Sequence, residues 1–335
     1  MPMTTLRQIK HRGYLATKRV RQLRGMIANA ASPSARSTRA RVRDRLAIPD
    51  LGSAHTRRRV GSVWAISVVK NEIDILPRTL EHFLTQGVSG IVVADNGSTD
   101  GTFQYLTGLA ARDERVFVAR DIEPAHLQGP KMDALARAAA RAGADWIVPF
   151  DADEFWYGVE GTLVEALRST STPIVSGQVF NAFPKDVGVL DGEWRIDPLP
   201  ARLPKVAFRW MRGAVIHHGN HAVDRLGDCS DGLRILHFPW RSRSQFLRKI
   251  RQGSAALDAA FGARSQLGGD HWRDLAALDD DALSVLWDDL IAGHAPEEME
   301  WRPQGPLVPI DPWGKRTWPE IAAAFRAGEG GGSAT

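Results

Sequence analysis

Between Val63 and Phe150 four short apolar runs alternate with three stretches of helical spacing, and few folds accept that pattern. The runs are Val63–Val69, Ile91–Ala94, Val116–Ala119 and Trp146–Phe150. Between them, Leu76, Leu80, Phe83 and Leu84, then Phe103, Leu106, Leu109 and Ala110, recur at helical intervals, and Lys131 to Ala142 is rich in Ala and Arg. Asp74 stands where a helix N-cap would, and Pro77 falls in the first turn after it. Strands alternating with helices require right-handed crossovers and a mostly parallel sheet covered on both faces, an α/β fold.

In such sheets ligands bind beyond the carboxyl ends of the strands. Three of the four runs lead into acid: Glu72, Asp95, and the pair Asp151 and Asp153. Taken as a continuation of the strand, Asp151 and Asp153 point to one side while Ala152 turns away. They then form either a divalent-metal site in outline or two solvated aspartates at a strand end. Asp95 opens a segment with two turn signals, Asn96-Gly97 and Asp100-Gly101. Its carboxylate either accepts hydrogen bonds from a base or ribose or caps that turn.

The charge is divided unevenly along the chain. Residues 1–59 hold 15 Lys and Arg against Asp44 and Asp50, a net charge of +13, while the other 276 residues carry −9. With few large apolar side chains, 1–59 reads as a basic, mobile arm or a loosely held helix. Leu6, Ile9, Leu15, Val20, Leu23 and Ile27 make a weak apolar stripe among its arginines, which suits an anionic membrane surface. An organelle transit peptide, a nucleic-acid partner and a solvated tail compete with that reading; nucleic acid ranks lower because no aromatic residues interleave with the arginines. One cysteine, Cys229, excludes an intrachain disulfide framework. Without a long apolar run or a secretory leader, the expectation is a cytoplasmic protein, peripheral at the inner face of the membrane if the arm engages lipid.

The region from Val63 to Tyr157 resembles the family 2 glycosyltransferases, which have the GT-A fold. The likeness rests on Val69-Lys70-Asn71-Glu72, on Asp95-Asn96-Gly97-Ser98-Thr99-Asp100-Gly101-Thr102, and on Asp151-Ala152-Asp153-Glu154-Phe155, in that order and each at a strand end. It implies a nucleotide-diphosphate-sugar site, with Asn71, Glu72, Asp95 and Asn96 at the base and ribose. Lys131 is implied near the nucleotide or its phosphates, against a solvated lysine in a first helical turn. The resemblance makes Asp151 and Asp153 the Asp-x-Asp element that binds Mg or Mn and carries catalysis; hard oxygen ligands favour those ions over zinc. Related enzymes carry a His-aromatic-Pro element after the acceptor segment, which Leu236-His237-Phe238-Pro239 matches and which makes His237 a third metal ligand or a histidine satisfied by backbone. Arg241, Arg243 and Lys249 face the diphosphate or the solvent. The acceptor is a glycan, a lipid-linked group or a small molecule.

The expected organisation is the arm at 1–59, a GT-A-like domain at 60–240, C-terminal helices with a Pro- and Trp-rich wrap at 241–327, and a disordered Gly-rich end at 328–335. Trp194 and Trp210 are candidates for stacking on an acceptor sugar or for the core. His217-His218-Gly219-Asn220-His221 has no metal-motif spacing and reads as a polar turn. The predicted reaction is metal-dependent glycosyl transfer, inverting as the resemblance implies. It needs a general base, for which Asp186, Asp191, Glu193 and Asp224 are candidates. A nucleotidyltransferase would want a Gly-rich loop after the first strand instead of Lys70-Asn71-Glu72. A non-catalytic binding protein working through its basic arm is the remaining alternative.

Overall fold

A computed structural model describes residues 19–52, 58–185, 190–261, 270–296 and 299–329. Residues 19–31 are helical (α1), and Pro33–Arg45 (α2) follows, started by Ser32, whose hydroxyl accepts from the amide of Ala35. Leu46–Ala47 (β1) then joins the sheet. The central run is Val63–Val69 (β2), Leu76–Thr85 (α3), Gly90–Asp95 (β3), Thr102–Ala110 (α4), Val116–Asp121 (β4), Gln128–Arg141 (α5) and Trp146–Pro149 (β5). Glu154–Gly158 (β6), Leu163–Ser169 (α6), Ile174–Pro184 (β7), Trp194–Ile196 (β8), Lys205–Arg209 (β9), Val215–Ile216 (β10), Val223–Asp224 (β11) and Cys229–His237 (β12) follow. The chain closes with Arg243–Phe261 (α7), Asp270–Ala276 (α8), Asp280–Ala292 (α9), Val308–Ile310 (β13) and Trp318–Glu329 (α10).

The four expected strands form a parallel block in the order β4-β3-β2-β5. Its strands are apolar throughout because both faces are covered. Val63 and Ala65 of β2 pack with α3 and α6 on one side, while Trp64 and Ile66 pack with α2 and α5 on the other. The sheet continues β5-β9-β7-β12-β6, with β7 and β12 parallel and the other neighbours antiparallel. β5 pairs with β9 only at Trp146 and Ile147. Beyond that point the chain leaves β5 through residues 150–153 and re-enters the sheet as β6, with three strands between the two. This parting of the sheet opens the hollow in which the acidic residues sit.

Several sequence expectations change. α3 begins at Leu76 after Ile75, without a side-chain cap, so Asp74 is free to pair elsewhere. Asp151 and Asp153 lie in a turn, not on an extended strand. The arm is docked through α2 and β1. Val42 and Leu46 are buried, β1 pairs antiparallel with β4, and Arg41 makes two hydrogen bonds of 2.5 Å to the buried carboxylate of Glu123. Apolar Val42 and the buried acid together hold a segment that its composition alone could not order. Residues 1–18 and 330–335, with Leu6, Ile9 and Leu15, lie outside the described residues. The Pro- and Trp-rich wrap packs as a third apolar layer, Trp313 stacking on Phe238 and Trp318 against Phe180. Among the described residues no helix is long and apolar enough to cross a membrane.

Candidate active site

The loops after β2 and β3 are laced together by the polar residues of the two motifs. Asn71, held at φ 57°, accepts from the amide of Thr99 through its side-chain oxygen at 2.7 Å, and its own amide donates to the Ser98 hydroxyl at 2.9 Å. The amides of Glu72 and Ile73 donate to Thr102 Oγ1 and Asp100 Oδ2. Asp95 Oδ2 accepts from the amides of Gly97 and Ser98, the turn-capping arrangement, while Oδ1 is buried without a partner. Asn96 donates 2.8 Å bonds to Asp121 Oδ2 and to the carbonyl of Glu123. Lys131, 3% exposed, donates to that same carbonyl and pairs with Asp121 at 2.6 Å. Burial lowers its pKa against the pull of Asp121.

These loops form one wall of a cavity of about 1060 Å³, which Asn71, Glu72, Asn96, Lys131, Asp151, Asp153 and His237 all line. That volume suits a drug-sized ligand or larger. Asn96, not Asp95, forms the wall at the end of β3.

Glu72, Asp151, Asp153 and Glu154 each have a cation. Lys205 lies 2.5 Å from Asp151 Oδ2 and 2.7 Å from Glu154 Oε1. It reaches both because β9 runs antiparallel beside β5 and continues past the point where the two part. Asp151 Oδ1 also accepts from Gln128 and Asn220. Burial pushes the Asp151 carboxyl up, but Lys205 outweighs it and holds the group below its usual value. Asp153 Oδ2 accepts from Lys249 at 2.6 Å and Arg241 at 3.3 Å. There too the cations overcome burial and keep the carboxylate ionised. Glu154 and Glu72 go the other way: burial pushes each up to about 7, only partly countered by Lys205 and by Arg241 respectively. Arg241 is not a surface arginine but a buried hub beneath the cavity, with Asp74, Glu72 and Asp153 around it.

Asp153 Oδ1 differs from the other carboxylate oxygens. His237 Nδ1 lies 2.9 Å from Asn181 Oδ1, which can only accept, so the proton is on Nδ1 and Nε2 carries a bare lone pair. That Nε2 faces Asp153 Oδ1 at 3.6 Å, and burial lowers the histidine to about 3, so it is neutral. Two unprotonated acceptors facing each other are mutually repulsive unless a cation lies between them. The Asn181 bond is the kind of outer contact that orients a ligating histidine. The donor set therefore fits a hard divalent cation through Asp153 and His237, with a ligand completing the shell. Among the described residues no group of three His, Cys, Asp or Glu could hold a metal by itself.

Of the base candidates, Asp191, Glu193 and Asp224 do not line the cavity. Asp191 pairs with Arg78, Glu193 with Lys185 and Asp224 with His217, while Asp186 lies outside the described residues. Trp194 is 1% exposed in the third apolar layer, and Trp210, partly buried, packs against the second; neither lines the cavity. Arg243 pairs with Asp288 at the surface. The His217–His221 turn closes the wall beside Asp151: the amide of Gly219 donates to Gln128, and His218 packs edge-on to His126. Sequence reasoning missed Lys205, Gln128, Asn181 and Asn220. They come from four separate elements and share no motif.

Residues 64–213 match the profile of glycosyl transferase family 2. TarS 1-349 from S. aureus, solved in complex with UDP-GlcNAc, is similar at 12% identity over 63% of this chain and 69% of that one, with a TM-score of 0.34. The mannosyltransferase PcManGT from Pyrobaculum calidifontis, solved with GDP-Man and Mn2+, is similar at 13% identity over 96% and 88%, with a TM-score of 0.37. No curated protein matches the chain.

Proposed function

We propose, on the premise that the chain is a glycosyltransferase with a family 2 domain of GT-A type at residues 64–213, that it moves a sugar from a nucleoside-diphosphate donor to an acceptor hydroxyl with the aid of Mg or Mn. The observation that carries the reading is the facing pair of bare acceptors, Asp153 Oδ1 and His237 Nε2, 3.6 Å apart in the cavity wall. When bound, a divalent cation supplies positive charge to the departing diphosphate. Asp153 and His237 hold it, and Asp151 joins them only if Lys205 moves off its Oδ2. Asn71, Glu72 and Asn96 line the end of the cavity toward β2 and β3, which takes the base and ribose, and Asp95 behind them caps the supporting turn through Oδ2. Lys131 fixes the Asp121–Glu123 corner that supports Asn96. The transfer is inverting, and the acceptor is a glycan, a lipid-linked group or a small molecule.

Peripheral contact with anionic lipid belongs to the same reading. α1 turns Gln22 inward, while Val20, Leu23 and Ile27 are 50%, 43% and 57% exposed on the opposite side beside Arg21 and Arg24. An apolar stripe facing outward between arginines suits a bilayer surface better than water.

The test is hydrolysis of a panel of nucleotide sugars with and without Mn or Mg, comparing wild type with Asp153→Asn and His237→Ala. Each variant is expected to lose about 100-fold or more in metal-supported turnover, equivalent to about 2.7 kcal/mol of barrier. Full activity in Asp153→Asn, or hydrolysis of no donor under any condition, overturns the reading.

A further inference from the structure

Resting on that donor site, we propose that Lys205 and Lys249 are exchangeable counter-ions: they hold Asp151 and Asp153 in the donor-free protein and pass to the donor's diphosphate when the metal takes the carboxylates. Both ammonium groups line the cavity and sit on its acids, Lys205 at 2.5 Å from Asp151 and Lys249 at 2.6 Å from Asp153. The two cations that share Asp153 are not equivalent. Arg241 has a side chain 1% exposed and is fixed by Asp74, Glu72, Asp153 and the Phe238 carbonyl. Lys249 has a side chain 20% exposed, with its ammonium over the rings of Trp240 and Trp301 at 5.6 and 5.3 Å. An ammonium on a four-carbon stem between two aromatic faces can swing by a few ångströms without losing favourable surroundings, whereas a guanidinium in a fork of carboxylates cannot.

The charge balance gives the exchange its direction. Lys205 holds Asp151 Oδ2 and Lys249 holds Asp153 Oδ2 before any ligand arrives, so a divalent cation alone finds only Asp153 Oδ1 and His237 Nε2 open to it, and to take more of either carboxylate it must displace an ammonium that has nowhere better to go. A diphosphate alone meets lysines already satisfied by carboxylates. When metal and diphosphate enter together, the metal replaces the lysines on the acids and the diphosphate takes the released lysines. Each ligand therefore raises the affinity for the other, and the coupling is reciprocal.

Calorimetric titration of the full chain with MnCl2 alone, with UDP, GDP, CDP or ADP alone, and with both together tests this. In wild type, the nucleoside diphosphate that binds is expected to raise Mn affinity about tenfold or more. Lys249→Met leaves Asp153 Oδ2 with Arg241 alone, so Mn alone binds about tenfold tighter while the nucleoside diphosphate binds about tenfold weaker; Lys249→Arg, which keeps the charge, stays near wild type in the metal-only titration. A change of both affinities in the same direction, or in neither, overturns the exchange. Should Lys249→Met not fold, the wild-type titrations decide alone, and equal Mn affinity with and without the diphosphate overturns it. A wild type that binds none of the four nucleoside diphosphates, with or without Mn, overturns the donor-site reading instead.

Discussion

Replacing Arg241 by leucine removes one guanidinium and strands three carboxylates. Arg241 makes a bidentate bond to Asp74, with Nε to Oδ2 at 2.7 Å and Nη2 to Oδ1 at 3.1 Å. It also reaches Glu72 at 2.5 Å and Asp153 at 3.3 Å. Removing one partner of a buried ion pair costs about 3–5 kcal/mol, because a charge is left without compensation in a poorly solvated place. Here the acids differ in their access to water: Asp74 and Glu72 have side chains 28% and 17% exposed, and Asp153, 5% exposed, keeps Lys249. The lower end, about 3 kcal/mol, is therefore expected at pH 8. The loss must also depend on pH. Burial pushes the Glu72 carboxyl up to about 7 even with Arg241 pulling it down, so without that arginine it rises further. A carboxyl whose folded pKa lies above its unfolded value favours the fold at low pH, and that contribution is lost as pH rises through the folded pKa. The variant should then be less impaired at pH 6 than at pH 8. Urea unfolding at the two pH values, with wild type and Arg241→Lys alongside, measures this; lysine cannot reproduce the fork and should recover little. A loss below about 1 kcal/mol at pH 8, or a larger loss at pH 6, would refute a buried electrostatic hub.

Three further expectations test the frame around the site. His82 is buried with Nε2 bonded to the Trp156 carbonyl, and burial lowers it to about 4 despite that bond; a depressed histidine favours the fold above the unfolded value of about 6.5 and loses that contribution, about 3 kcal/mol, as pH falls toward 4. His82→Gln should flatten the stability profile over that window, and an unchanged slope would show that His82 does not contribute to it. A Cβ on Gly129 would lie 2.7 Å from the backbone carbonyl oxygen of Ile216, so Gly129→Ala should cost about 1–3 kcal/mol by forcing α5 away from β10, as thermal melts will show; a melting temperature equal to wild type would mean the helix yields freely. Changing Val20, Leu23 and Ile27 together to serine should abolish sedimentation with phosphatidylserine vesicles at low salt while leaving turnover of soluble donor unchanged, and vesicle binding equal to wild type would exclude α1 as the contact.

The parallel block was legible because its cause is local. Apolar runs with both faces buried, separated by helical periods, leave few other arrangements, and β2 to β5 fall where the apolar runs lie. The docked arm was hidden for the opposite reason. Composition describes what a segment can bury by itself, whereas α2 is held by Val42 in a groove and by Arg41 on Glu123, a residue 82 positions away. Asp74 shows the same limit on a smaller scale. Its place before a helix fits a cap, but Arg241, 167 positions on, competes for the carboxylate and wins.

The acids at the strand ends were visible because they are contiguous in sequence, and contiguity made Asp151 and Asp153 look equivalent. Their partners make them different. Asp151 receives Lys205, Gln128 and Asn220, so both its oxygens are engaged, while Asp153 has Oδ1 open toward a histidine whose tautomer Asn181 has set. A motif marks where negative charge is gathered; which oxygen can take a cation depends on lone pairs left over after distant residues have bonded to the rest. Asn181 and His237 are opposite each other in the parallel register of β7 and β12, strands that sequence spacing alone does not place side by side. The half of the site proposed to hold a metal is thus a property of strand pairing, and the Asp-x-Asp segment is the part of it that sequence can display.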